Sequence, residues 1–100
     1  MNISFDFDNT LDRLRVQDIA IECIDSGYTV WIITRRYENE NKEVYEVADK
    51  LGIPKERVIF TNGEWKWRTI KNLPIDCHYD DKVIEILLIE RFTDTKGHII

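Results

Sequence analysis

The stretch that most constrains this chain is an apolar run that begins at the third residue and ends in charge: Ile3-Ser4-Phe5-Asp6-Phe7-Asp8-Asn9-Thr10-Leu11. Such a run reads as a buried parallel strand that delivers carboxylates to its carboxyl end, the edge at which open α/β sheets bind ligands. On a strand, side chains alternate with period two, so Asp6 and Asp8 point the same way and set two negative charges together at one edge of the sheet. Two carboxylates at one sheet edge are costly unless a cation shares them. The pattern therefore predicts a hard-metal site, most simply Mg²⁺ held by carboxylate oxygens and waters, with one Asp free to attack phosphorus. Taken alone, D-x-D-x-T is equally consistent with a solvated strand-to-loop edge carrying two ordinary acids.

Beyond Leu11 the period changes. Val16, Ile19, Ala20, Cys23 and Ile24 fall at helical spacing and Gly27 follows as a stop, which predicts a helix over about 14–26. Tyr28–Thr34 is β-branched and aromatic, apolar on both faces, and predicts a central strand. Val44, Val47, Ala48 and Leu51 mark a second helix, with Asn39 and Asn41 as candidate caps and Gly52 and Pro54 closing it. Arg57–Thr61 is a third strand and Asn62-Gly63 a turn. Glu64–Leu73 reads as a short helix carrying Lys66, ended by Pro74. Ile75–Asp81 alternates, with Ile75, Cys77 and Tyr79 on one face and Asp76, His78 and Asp80 on the other. Val83–Phe92, apolar almost all round, fits strand or helix by pattern alone, but its length and the candidate cap Asp81 favour a buried helix, and Gly97–Ile100 reads as a last edge strand. Strand and helix alternate throughout, so the expected fold is α/β: a three-layer, doubly wound, mostly parallel Rossmann-like sheet of about five strands, in one domain over 1–100.

Composition narrows what such a fold can do. One hundred residues suffice for a single core. Net charge is −5, so a polyanion-binding surface, and with it nucleic acid as a partner, is not expected. The longest apolar runs, Val30–Ile33 and Ile86–Ile89, are far too short to span a bilayer. With no charged-then-apolar leader before the first strand, a cytoplasmic location is the expectation. Cys23 and Cys77 lack C-x-x-C spacing and are expected as buried, reduced thiols.

Three of the predicted strands end in polar residues that can meet at one sheet edge: Asp6, Asp8 and Thr10; Thr34 and Arg35; Asp80 and Asp81. Lys66 opens the helix before the last of these. Phosphoryl transfer needs this combination, with carboxylates for Mg²⁺ and a hydroxyl and a cation for the non-transferring oxygens.

In these four segments, Phe5-Asp6-Phe7-Asp8-Asn9-Thr10, Ile32-Ile33-Thr34, Lys66 after Thr61-Asn62-Gly63, and His78-Tyr79-Asp80-Asp81, the chain resembles the haloacid dehalogenase superfamily, over essentially its whole length. The resemblance implies a phosphate-monoester hydrolase in which Asp6 is the nucleophile that forms an aspartyl-phosphate. Asp8 would be general acid and then base, Thr34 would bind a phosphate oxygen, and Lys66 would stabilise charge on Asp6 and the phosphoryl group. It also implies that Asp80, with or without Asp81, completes the Mg²⁺ shell with Asp6 and the Asp8 backbone carbonyl. Members lacking an acid two residues after the nucleophile run other chemistry, so Asp8 points to phosphatase or phosphotransferase. A receiver domain also groups Asp, Thr and Lys around Mg²⁺, but would carry its Asp where this chain has Thr61-Asn62.

The chain departs from that family in having no room for a cap domain or for the usual flap. An open site predicts a large phosphorylated substrate, a second copy that covers the mouth, or a slow and unselective enzyme. The rival reading is a module that keeps the fold and binds Mg²⁺ or a phosphorylated ligand without turnover. Among lesser residues, Lys71 is the alternative to Lys66, and Arg35 is either solvated or a ligand for a second anionic group of the substrate. Trp65 and Trp67 are expected as one packed and one half-exposed ring, or as a stacking surface. His78 is read as facing a helix, His98 as a surface residue, and Glu38–Glu46 as a solvated helix face.

Overall fold

The computed structural model describes residues 1–100. Its elements are β1 (Asn2–Phe5), a wide turn over Phe7–Leu11, α1 (Leu14–Asp25), β2 (Thr29–Thr34), α2 (Lys42–Leu51), a 3₁₀ turn over Lys55–Arg57, β3 (Val58–Phe60), α3 (Trp67–Ile70), β4 (Cys77–Asp80), α4 (Val83–Phe92) and β5 (Lys96–Ile99). The strands form one five-stranded sheet in the order β3-β2-β1-β4-β5, and every pairing is parallel. The chain winds outward from β1 through β2 to β3, then crosses to the other side for β4 and β5. That reversal sets the carboxyl ends of β1 and β4 side by side at the switch point, where an open sheet leaves a crevice.

Alternation along the central strands sorts the core into two layers. Ile3, Phe5, Val30 and Ile32 pack with Val16 and Ala20 of α1 and Val44 and Ala48 of α2 on one face. Ile33 points the other way, to Ile70 of α3, Ile75 and Ile89 of α4. Helices thus cover both faces, as the βα alternation requires, and there is no separate cap domain. Gly52 ends α2 at φ +77, a left-handed position that lets its N–H and that of Ile53 reach back to the last turn.

Several elements differ from the sequence reading, each for a physical reason. β1 stops at Phe5, because the Phe7–Leu11 turn takes over: Leu11 N–H bonds the Asp6 carbonyl and Asp12 N–H the Phe7 carbonyl, with Asn9 at φ +58. Asp6 and Asp8 are therefore not strand neighbours on one face. The helix expected over Glu64–Leu73 shrinks to α3, one turn over Trp67–Ile70, with Lys66 at its N-cap position. α4 has the expected length, but Lys82 rather than Asp81 occupies its N-cap. It is also not buried all round: Val83, Ile84 and Leu87 face outward, while Glu85, Ile86 and Ile89 face inward. Both cysteines are free, and half-buried rather than buried. No helix is long and apolar enough to cross a membrane.

Candidate functional site

Asp6 leaves β1 in extended conformation, and its N–H still bonds the Tyr79 carbonyl, which locks it against the end of β4. Thr10, on the far side of the turn, donates its hydroxyl to Asp6 Oδ2 at 3.2 Å. The turn is anchored by the buried Phe7 and Leu11, so the nucleophile candidate is held by packing as well as by hydrogen bonds. Thr10 is thus a partner of Asp6 itself in this arrangement.

Lys66 reaches into the same crevice from the start of α3. Its ammonium lies 2.7 Å from Asp6 Oδ1 and 2.5 Å from Asp80 Oδ2, and the residue is only 1% exposed. Burial alone would push the Lys66 pKa down, but the two carboxylates outweigh it and the net displacement is upward. For Asp6 burial wins: despite Lys66, and helped by the like charge of Asp80, its carboxyl is raised to about 7. Lys71, the alternative cation, is exposed and lines a cavity at the opposite end of the sheet, beside Asn2 and Asp76.

Asp80 is fully buried, and burial would raise it, yet its carboxyl is held down to about 2 by His78 and Lys66. His78 Nε2 is 2.8 Å from Asp80 Oδ2, and His78 Nδ1 is 2.7 Å from Ser4 Oγ. Burial keeps the imidazole neutral, its pKa below the ordinary value. An ionised carboxylate only accepts, so Nε2 carries the proton and Nδ1 accepts from the Ser4 hydroxyl. His78 therefore faces the site through Asp80 and Ser4, rather than a helix.

Ligand oxygens of Asp6, Asp80 and Asp81 all fall within 4.8 Å of one another. Asp81 Oδ1 is buried with no hydrogen-bond partner. Three acids against one lysine leave an excess of negative charge, and an orphaned carboxylate oxygen among them suits a hard divalent cation such as Mg²⁺. The Asp8 carboxylate lies outside this cluster, so any part it has in a metal shell is confined to its backbone carbonyl.

Asp8 instead makes a two-pronged pair with Arg36, Nη2 to Oδ1 at 2.7 Å and Nε to Oδ2 at 3.0 Å. Those bonds, opposed by slight burial, hold its carboxyl below the ordinary carboxylate range. Thr34 is buried at the end of β2, its hydroxyl accepting the Arg36 N–H at 3.2 Å. Arg35 lies over the Trp65 ring at 4.6 Å and donates to the Gly63 carbonyl. Trp65 is about one-third exposed, while Trp67 packs on Phe92 at 4.5 Å, which divides the two rings as the sequence suggests. His98 is exposed and stacks on Tyr79 at 5.0 Å.

Glu85, Arg36, His78 and Ser4 are members of the site that sequence reasoning did not assign to it. Glu85 is fully buried, accepts the Lys66 backbone N–H at 3.2 Å, and sits 3.8 Å from Arg35; burial raises its carboxyl. Its signal was visible, a lone acid inside the apolar run Val83–Ile89 one helical turn beyond Asp81. Ser4 had none short of the strand register that pairs it with His78.

No family model, no curated protein and no solved structure matches this chain.

Proposed function

We propose that this protein is a Mg²⁺-dependent phosphate-monoester hydrolase working through an aspartyl-phosphate on Asp6, in the manner of the superfamily its four motifs resemble. The observation that carries the reading is the Lys66 ammonium bridging Asp6 and Asp80 beside the unpartnered Asp81 oxygen at the switch point of a parallel sheet. Asp6, Asp80 and Asp81 would hold the cation, which would neutralise phosphoryl oxygens when bound.

In the first half-reaction an Asp6 oxygen attacks phosphorus, the ester P–O bond breaks, and Asp8 gives its proton to the departing alkoxide. In the second, Asp8 takes a proton from water, the hydroxide attacks phosphorus, and the P–O bond to Asp6 breaks to release inorganic phosphate. Thr34 and Lys66 supply the donors for the phosphoryl oxygens, and Lys66 opposes the burial that raises the Asp6 carboxyl, favouring its ionised form for attack. Thr10 orients the nucleophile; Arg35, half-exposed on Trp65, is available to a second group of the substrate. The open mouth would be covered by a bulky substrate or by a second copy, and the reduced thiols fit a cytoplasmic setting.

The Arg36–Asp8 pair favours one rival. An acid held ionised by a guanidinium does not donate protons, which suits a module that binds Mg²⁺ or a phosphorylated ligand without turnover. Hydrolysis of an aryl phosphate by the wild-type chain and by Asp6→Asn, each with Mg²⁺ and with chelator, separates the two. Turnover that requires both Asp6 and Mg²⁺ upholds the hydrolase; a folded protein silent in every condition supports the module.

A further inference from the structure

Building on the hydrolase reading, we infer that the leaving group of the substrate is a small polyhydroxylated alcohol, a sugar or polyol, received by a hydrophilic cavity between Asp8 and the start of α2. The residue that protonates a departing alkoxide must touch it, so the leaving group lies on the Asp8 side of the phosphorus. On that side the protein has a cavity of about 460 Å³ with no hydrophobic residue in its lining.

Beside Asp8 the lining offers donors from Arg36, Asn39, Asn41 and Lys42 and acceptors from Glu40 and Glu43. Its formal charges, two cations against three anions, nearly cancel. A second phosphate or carboxylate would meet more acids than bases, and an aromatic or acyl group would find no hydrophobic side chain to bury against. Hydroxyl groups are donor and acceptor at once, and suit a wall in which the two kinds of partner are mixed.

The wall is also built before any ligand arrives. Arg36 Nη1 donates to the Glu40 carbonyl at 3.1 Å, Tyr37 N–H to Glu40 Oε1 at 3.0 Å, and Asn41 Nδ2 to the Glu38 carbonyl at 2.8 Å. Glu38 N–H in turn bonds Asn62 Oδ1 at 3.0 Å, tying this loop to the one after β3. Those bonds leave the side chains of Asn39 and Lys42 unspent, facing the same cavity as Asp8. A preformed loop loses little entropy on binding, so its contacts convert to selectivity.

The test uses labelled Asp6→Asn chain with Mg²⁺, so that the ester survives, titrated by NMR with a hexose 6-phosphate, phenyl phosphate and orthophosphate. Amide shifts over residues 39–43 are expected with the hexose ester alone, with affinity about tenfold above that for phenyl phosphate from two or so added hydrogen bonds. Asn39→Ala with Lys42→Met should bring the hexose ester down to the phenyl phosphate affinity, the spectrum itself reporting an intact fold. Equal affinities, shifts centred on Trp65 instead, or no binding would each overturn the inference. Wild-type turnover, read separately, keeps the two ideas apart. Polyol-selective binding without hydrolysis leaves the cavity standing and removes the hydrolase, whereas hydrolysis without selectivity removes the cavity alone.

Discussion

Lys66 Nζ and Asp6 Oδ1 stand 2.7 Å apart in a crevice that exposes almost nothing of either side chain, and Asp80 shares the same ammonium. Removing one partner of a buried ion pair strands the other, at a cost of about 3–5 kcal/mol. Lys66→Met should therefore lower stability by that order in urea denaturation, and Mg²⁺ should restore more of it in the variant than in the wild type, because a cation among the same carboxylates replaces the missing charge. A variant as stable as wild type, or indifferent to Mg²⁺, would remove the lysine from the centre of the site.

The same cluster makes stability depend on pH in a definite direction. Asp6 is raised from an ordinary 3.8 to about 7, so the folded state binds its proton more tightly than the unfolded chain. Its contribution is complete below about pH 4 and is lost as pH rises through about 7. His78, with a depressed pKa, acts oppositely, losing stability as pH falls below its ordinary value of 6.5. The comparison that isolates Asp6 is the melting temperature of wild type minus that of Asp6→Asn in chelator. That difference should fall between pH 4 and pH 7, and a flat difference would refute the raised carboxyl.

The imidazole of His78 should remain neutral, protonated on Nε2, at pH 6, below the point where a free histidine is half charged. Long-range nitrogen–proton NMR correlations report both tautomer and charge. His78→Ala leaves a cavity and strands the Asp80 and Ser4 groups, so a loss of about 2–4 kcal/mol in denaturant is expected. Finding the imidazolium at pH 6 would reverse the donor and acceptor roles assigned to Ser4.

Asp8→Asn should abolish turnover of an aryl phosphate while leaving Mg²⁺ affinity, measured by calorimetry, nearly unchanged, since no carboxylate oxygen of Asp8 lies in the acidic cluster. Arg36→Gln frees that carboxylate, and the limb of the pH–rate profile that follows Asp8 should move to higher pH. Turnover that survives Asp8→Asn would refute the acid–base role proposed for it.

On α4, Ile89→Ala should cost about 2–5 kcal/mol and Leu87→Ala about 0.5 kcal/mol or less, in the same denaturation assay. The two residues are alike in the sequence, yet Ile89 is fully buried and Leu87 is more than half exposed.

That contrast shows where legibility ended. Hydrophobic period and turn residues act over a few positions, so the order of elements and the parallel α/β class were within reach of the sequence, whereas Lys66 was favoured over Lys71 by its place in the motifs the chain resembles. The polar strand ends Asp6, Thr34 and Asp80 could be named for the same reason: a strand's carboxyl end is a local property. What the local pattern could not carry was the pairing between elements distant along the chain. An apolar helix does not say which side meets the sheet; it took the placement of β4 beside β1 to turn Glu85 inward onto Lys66 and leave Val83, Ile84 and Leu87 outside. Ser4 met His78 only through the β1–β4 register, and Asp8 left Asp6 for Arg36 only because the Phe7–Leu11 turn cut the strand short. Sequence by itself determined which chemical groups the chain possesses and the end of the sheet at which they gather. Tertiary structure alone decided which carboxylates share a lysine and which gather within a few ångströms of one another, because those choices depend on contacts between residues as many as 74 positions apart.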